Sequence, residues 1–233
     1  MISFITAARN ARELDNLAEN LARVVFHKNQ DIKYELLPEV GRDSIFTAYN
    51  EGAKKAQYDC LAFIHTDVEF LCNSKCFEKP LSLVSKPMTG LVGVAGATVL
   101  ENTGNKPGCW WVTNQVNCRG AVYHSSTQDE TGMHINTWPH VVGRFTPVAV
   151  VDGVFIMCSK KNFNKLGGFD DKNFSGFHFY DVQLSVEAKL KGLTNHVVPI
   201  PLLHKSPGKP DEIWEQNRLK FMEKYGKHLP VRA

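Results

Sequence analysis

The chain predicts an α/β fold with a mostly parallel central sheet, and three features point there. Apolar strand-like runs alternate with amphipathic helical stretches through the first half. Acidic and imidazole residues gather where apolar runs end, as they do at the ligand-binding edge of such sheets. A glycine- and tryptophan-rich stretch without helical periodicity interrupts the pattern near the middle. With 233 residues, 43% hydrophobic and 22% charged, the chain suffices for one domain with a large buried core.

The elements follow in order. ISFITA (Ile2 to Ala7) reads as a buried first strand, and Leu14, Leu17, Leu21 and Val24 then recur at helical spacing. IKYELLP gives a second strand. DSIFTAYNEGAKKAQ is a helix with Asp43 as candidate N-cap and a stripe of Ile45, Ala48, Tyr49, Gly52, Ala53 and Ala56. CLAFIHTDVEF, Cys60 to Phe70, reads as one continuous third strand. Extended throughout, it sets His65, Asp67 and Glu69 on one face and Thr66, Val68 and Phe70 on the other. Such alternation builds a parallel sheet through right-handed crossovers.

A short helix after Pro80 leads to GLVGVAGATVL, a fourth strand. Glu101 to Thr146 reads as loops and short β elements covering the sheet, with Trp110, Trp111 and Trp138 inside it. PVAVVDGVFIMCS is an apolar strand interrupted by Asp152 and Gly153. Ser159 caps a short helix ending at Gly167, and a further helix runs from near Tyr180 to Gly192. HVVPIPLLH is extended, and Asp211 caps a last amphipathic helix.

A net charge of +3, with basic residues scattered among 24 acidic ones, argues against a nucleic-acid partner and fits a small anionic ligand. No apolar run approaches the ~18 residues of a membrane span, which leaves only peripheral association with a membrane. The opening MISFITAARNAREL lacks a basic leader and its apolar run breaks at Arg9, so no signal peptide is expected and the cytoplasm is the expected compartment. Among the six cysteines only Cys72 and Cys76 are closely spaced, without a second pair to complete a zinc site; free thiols are expected.

Two blocks, AYNEGAKKAQYDCLAFIHTDVEF and VDGVFIMCSKKNFNKLGGFDDKNFSGFHFYDVQLSVEAKLKGL, resemble the nucleotide-sugar glycosyltransferases of the GT-A fold, in particular their compact, soluble, non-processive family-2-like group. The first is similar to an A-x-N-x-G helix, here Ala48, Asn50 and Gly52, leading to a strand that ends in a D-x-D metal motif. The second is similar to a GGFDE turn followed by an acidic acceptor-side motif. The likeness covers nearly the whole chain. It implies a Rossmann-like, mostly parallel sheet flanked by helices and a loop-rich acceptor-side subdomain, in a single domain spanning 1–233. Residues 1–100 form the donor-nucleotide half of that domain and 101–233 the acceptor-side half.

The resemblance implies metal-dependent transfer of a sugar from a nucleotide-diphosphate sugar to a hydroxyl of a carbohydrate or glycoconjugate acceptor, with inversion. A divalent cation, Mn2+ or Mg2+, would neutralise the departing diphosphate, and hard cations favour carboxylate oxygens. Asp67 is the matching carboxylate, Glu69 shares its expected face, and His204 matches a late histidine ligand. His65 stands where the motif has its first Asp. Around the donor the likeness sets Asn10, Glu35, Asn50 and His65, joined by Lys205 and Lys209 of the KSPGK turn. Asp181 matches the catalytic base, with Tyr180 where a Glu usually precedes it.

Asp152, in the middle of an apolar run, needs a partner or a ligand and is read as meeting substrate hydroxyls. His178 orients the base or touches substrate. One of the three tryptophans serves as a platform for a sugar ring. The absence of a Q-x-x-R-W motif favours transfer of single sugars. A sugar nucleotidyltransferase would share the sheet and the metal, but TAARNAREL lacks the glycine-rich loop that activity requires. A catalytically silent sugar-nucleotide-binding module is the other reading, kept open by His65 and Tyr180.

Overall fold

The computed structural model describes residues 1–25, 32–102, 104, 106–112, 115–125, 133–138 (backbone only), 145–206 and 210–233. The first half begins as its periodicity predicts: β1 (Ile2–Ala8), α1 (Ala11–Val25), β2 (Tyr34–Val40), α2 (Ile45–Lys55) and β3 (Cys60–Ile64). It continues through β4 (Val68–Phe70), α3 (Lys75–Val84), β5 (Thr89–Gly93), β6 (Ala95–Ala97) and β7 (Val99–Leu100). The second half holds β8 (Cys118–Ser125), β9 (Met133–Trp138), β10 (Thr146–Val148), β11 (Val150–Val151), β12 (Phe155–Ser159) and α4 (Lys160–Leu166). After these come α5 (Tyr180–Leu190), β13 (Thr194–Val197), β14 (Leu202–His204), α6 (Glu212–Tyr225) and β15 (Val231–Arg232).

The main sheet has seven strands in the order β10-β13-β5-β12-β3-β1-β2. β1 runs parallel to β2 and β3, and β13 parallel to β5, while β12 is inserted antiparallel between β3 and β5. β3 is buried at every position, which is why its sequence is a continuous apolar run rather than an alternating one. A second sheet, β11-β6-β8-β14-β4 with β9 against β8, lies over the end where His65 emerges. Beneath that end an aromatic cluster fills the core: Phe63 has Tyr49, Phe163 and Phe169 with ring centroids 5.0–5.1 Å away, and Tyr180 stands edge-on to Tyr49 at 5.7 Å.

Three runs that read as single strands are divided. CLAFIHTDVEF leaves the main sheet after Ile64, turns at Thr66 and Asp67, and enters the second sheet as β4. The turn removes the shared face expected of His65, Asp67 and Glu69. GLVGVAGATVL becomes β5, β6 and β7 in three different sheets, and PVAVVDGVFIMCS becomes β10, β11 and β12, with β11 in the second sheet. The chain crosses between sheets where backbones touch. Gly120 has φ 101° and a Cβ there would lie 2.0 Å from the Val94 carbonyl oxygen, so only glycine fits that crossing.

Other boundaries shift less. Ser44, in an extended conformation, precedes α2 in place of Asp43. Pro80 lies inside α3 rather than ahead of it, at the cost of one intrahelical hydrogen bond. The stretch expected as loops and short β elements contains the antiparallel β8/β9 pair. Ser159 and Asp211 cap as expected: Ser159 Oγ accepts from Asn162 N at 3.1 Å and Asp211 Oδ1 from Trp214 N at 2.8 Å. All six cysteines are free.

Candidate active site

One end of the site is built from turns and strand ends. His65 follows β3 directly, and its backbone N–H donates to Val154 O, just before β12, at 3.4 Å. His204 closes β14, opposite Val68 of β4 and beside His124 of β8. Asp67 sits in the turn between β3 and β4, where its carbonyl accepts from Lys205 N at 3.0 Å. The side chains converge. His65 Nδ1 is 3.3 Å from His204 Nε2, which is 3.3 Å from Asp67 Oδ1; His65 Nδ1 and Asp67 Oδ1 are 4.0 Å apart.

Among the described residues these three form the one group of ligand-type side chains close enough to hold a metal ion. Donors about 2.0–2.2 Å from one small cation lie roughly 3–3.5 Å from each other; two of the three separations match, and the 4.0 Å between His65 and Asp67 needs a wider angle at the ion or a small closure. Burial pushes the His65 imidazole down to about 4, and His204 adds to the effect. Neutral imidazole is the form that ligates. Burial works to raise Asp67, but the imidazoles of His204 and His65 outweigh it and hold the carboxyl below its ordinary range.

The other end is a pair of carboxylates on the antiparallel insertion and α5. Asp181 lies in the first turn of α5 and accepts from Gly153 N at 3.0 Å through Oδ2. Asp152 Oδ1 accepts from Val154 N at 2.8 Å, the local Asp turn that an Asp-Gly pair favours. Burial raises both carboxyls, and the Asp152 charge helps bring Asp181 to about 7. A helix N-terminus lowers a carboxyl's pKa, but here burial wins. Phe179, just before α5, holds φ 70°, a strained value for a bulky residue, and packs on Trp214 and Phe221 with centroids at 5.3 and 5.6 Å.

A cavity of about 340 Å³ connects the two ends. His65, His204, Asp152 and Asp181 reach it, and Trp110, Trp111, Phe177 and Trp214 supply aromatic wall. Trp111 is 44% exposed and Trp110 is buried, so an exposed tryptophan face is available at the rim. His178 also lines the cavity, but its Nε2 lies 3.6 Å from Asp211 Oδ1. Burial lowers the His178 pKa and the Asp211 charge opposes this.

Several expected residues lie elsewhere. Glu69 points away from the histidines, its carboxylate 2.8 Å from Arg23 and 3.7 Å from Lys205, because the chain turned before reaching it. Glu35 sits at the start of β2, at the opposite end of the sheet, accepting from Ser3 Oγ at 2.6 Å and Gln57 N at 2.7 Å. Asn50 clasps the turn after α4, donating to Phe169 O at 2.8 Å and accepting from Phe169 N at 3.0 Å. Asn10 Oδ1 accepts from Glu13 N at 3.3 Å at the start of α1. Trp138, through its side chain, and Lys209 lie outside the described residues.

Three residues escaped the sequence reading. Glu39, 3% exposed near the C-terminal end of β2, pairs with Arg42 at 3.0 Å and with Lys55. His124 lies beside His204 with the rings tilted at 56° and their centroids 5.4 Å apart. Trp214 is read in sequence only as part of an amphipathic helix. For Glu39 alone a signal existed: it stands at the C-terminal strand end, where α/β sheets place their ligands, and Glu35 does not.

A family model described as "Glycosyltransferase like family" matches residues 3–227, and the chain belongs to that family. Among solved structures the chain is similar to the mannosyltransferase PcManGT from Pyrobaculum calidifontis in complex with GDP-Man and Mn2+, with TM-score 0.56 and 9% identity over 98% of this chain and 64% of that one. It is also similar to GalNAc-T7 with UDP, GalNAc and Mn2+, with TM-score 0.54 and 12% identity over 96% of this chain and 48% of that one. The chain thus spans about half to two thirds of these proteins. The likeness shows the fold, GT-A, as the sequence led us to expect. No curated protein matches the chain, and among the described residues no helix is long and apolar enough to cross a membrane.

Proposed function

We propose that this chain transfers a sugar from a nucleotide-diphosphate sugar to an acceptor hydroxyl, with inversion. The observation that carries this is one cavity lined at one end by the two histidines of a His-His-Asp cluster and at the other by the buried carboxyls of Asp152 and Asp181. A divalent cation there would neutralise charge on the leaving diphosphate. Asp67, His204 and His65 would hold it. Asp181, fixed by Gly153 N and raised to about 7, is tuned to take the acceptor's proton near neutral pH. Asp152 faces the same space and adds to the burial that raises Asp181. The aromatic wall excludes water and suits the apolar face of a sugar.

In this reading residues 1–100 form the donor half, which supplies His65 and Asp67, and residues 101–233 the acceptor half, which lends His204 back to the cation. Lys205, whose backbone N–H donates to Asp67 O, would reach the diphosphate by swinging its ammonium away from Glu69. Free thiols support a reducing, cytoplasmic setting. The test is a thermal-shift screen of nucleoside diphosphates with and without Mn2+. A ligand at ~100 times its dissociation constant stabilises by about 2.7 kcal/mol, and Asp67→Ala should erase the metal-dependent part. No shift with any diphosphate, or an undiminished shift in Asp67→Ala, would sink the proposal. Slow release of nucleoside diphosphate from the matching donor separates a transferase from a silent binding module.

A further inference from the structure

We propose that Tyr180 is a positioning residue that fixes which nitrogen of His65 faces the cation. The site it completes, two imidazoles and one carboxylate, takes a transition-metal ion and rejects Mg2+. The inference deepens the proposed cation site and rests on it. It begins from a coincidence of departures. Position 65 carries His where the resembling motif has Asp, and position 180 carries Tyr where it has Glu; the structure puts these two side chains in contact, with His65 Nε2 2.6 Å from Tyr180 Oη.

An imidazole ligates through one ring nitrogen and carries its proton on the other, and the N–H left over needs an acceptor that also holds the ring plane. His65 Nδ1 is the nitrogen turned toward His204 and Asp67. Its lone pair is therefore the one offered to a cation. The proton then belongs on Nε2, where Tyr180 Oη stands ready to accept it. A carboxylate at position 65 has no tautomer to fix, and its shorter side chain carries no atom out to the place beside the phenol that Nε2 holds.

The phenol cannot move away. Tyr180 is 3% exposed and stands edge-on to Phe46 and Tyr49, with centroids at 6.2 and 5.7 Å. Its hydroxyl rests on Gly153, where a Cβ would come within 2.2 Å of Oη. Any larger residue at 153 would expel the hydroxyl from its place against His65. Gly153, Tyr180 and His65 thus form one supported unit.

The donor set decides the metal. Mg2+ demands near-octahedral oxygen ligation and gives up its water reluctantly, so two neutral nitrogens serve it poorly. Imidazole suits later first-row ions, whose affinities rise from Mn2+ to Co2+. The expected order is Co2+ above Mn2+ above Mg2+.

The test titrates Co2+, Mn2+ and Mg2+ into the full chain without any nucleotide, following the Co2+ d–d absorption and calorimetric heat. Tyr180→Phe keeps the ring and should weaken Co2+ binding by about 10–100-fold, the usual effect of losing the partner of a metal-bound histidine. The same change made on His65→Asp should alter affinity by less than about 3-fold, because Tyr180 would have no imidazole to hold, and His65→Asp alone should narrow the preference for Co2+ over Mg2+. An unchanged Co2+ affinity in Tyr180→Phe, or an equal loss on both backgrounds, overturns the positioning role. Mg2+ binding as tight as Co2+, or no Co2+ spectrum at millimolar metal, overturns the site. None of these measurements uses a sugar donor, so a chain that binds Co2+ as described but transfers no sugar would refute the proposed function and leave this inference standing.

Discussion

The two ends of the cavity contain the same kind of material, ionisable side chains drawn into partial or full burial, and the same physical force acts on both with opposite chemical results. At the histidine end, desolvation pushes His65 down to about 4 and so keeps a lone pair available at neutral pH. At the carboxylate end, desolvation and the neighbouring Asp152 lift Asp181 to about 7, so a group that is ordinarily a feeble base becomes one matched to neutral pH. In the proposed function, loss of water makes a ligand in one place and a base in the other. What differs is the sign of the charge that burial disfavours.

The strongest challenge to that contrast is Asp181→Asn. The variant should transfer sugar ~10² to 10⁴ times more slowly while nucleoside diphosphate and metal affinities stay within a few-fold, since a positioned base acts only as the new bond forms. Stability should move the other way. A carboxyl with a folded pKa of about 7 against an unfolded value near ~3.9 stabilises the fold at low pH and loses that contribution as pH rises between the two. Melting curves at pH 8 should therefore show Asp181→Asn more stable than wild type, with the gain gone near pH 4. Wild-type transfer rates with a similar stability profile would place the base elsewhere.

A smaller effect sharpens the electrostatic half. Transfer by the wild type should fall as pH drops below about 7, because Asp181 takes up a proton. Asp152→Asn removes the second cause of the upward shift, so the acid limb of kcat/KM should move to lower pH. A limb that stays in place would mean that burial alone sets it. Smallest of all is Glu69→Ala. Its ion pair with Arg23 is solvent-exposed on the arginine side and worth about 0–1 kcal/mol, and Mn2+ affinity measured by calorimetry should change less than about 3-fold. A large loss of metal would return Glu69 to the cation site.

Local chemistry was readable in the sequence and long-range partition was not. Ser159, Gly167 and Asp211 announce helix ends because a cap needs only its own few neighbours. The parallel start was equally plain, since strands covered on both faces are uninterrupted apolar runs. The same property concealed the breaks: β5, β6 and β7 are all buried, so hydrophobicity does not register the chain passing from one sheet to the next. CLAFIHTDVEF misled through its alternation. A turn at Thr66 and Asp67 followed by a fresh strand also places Val68 and Phe70 inside, as a continuous strand would.

For the site, Asp67, His204, Asp152 and Asp181 were named from sequence and the structure gathers them at one cavity or its edge. The contact between His65 and Tyr180, 115 positions apart, had no signature beyond two departures from a motif.

The insertion of β12 against β3 has a mechanical consequence. Phe155 sits opposite Ile64, and the ladder continues into the hydrogen bond from His65 N to Val154 O, so the histidine end and the Asp152–Gly153 corner terminate two rails of one track. The track works as a calliper whose jaws were set when the strands paired. Side-chain changes inside can alter the grip on whatever lies between the jaws, but the opening is a backbone dimension. What can be reshaped without moving the rails is the aromatic wall ahead of α5 and at the start of α6, where Phe177 and Trp214 line the cavity.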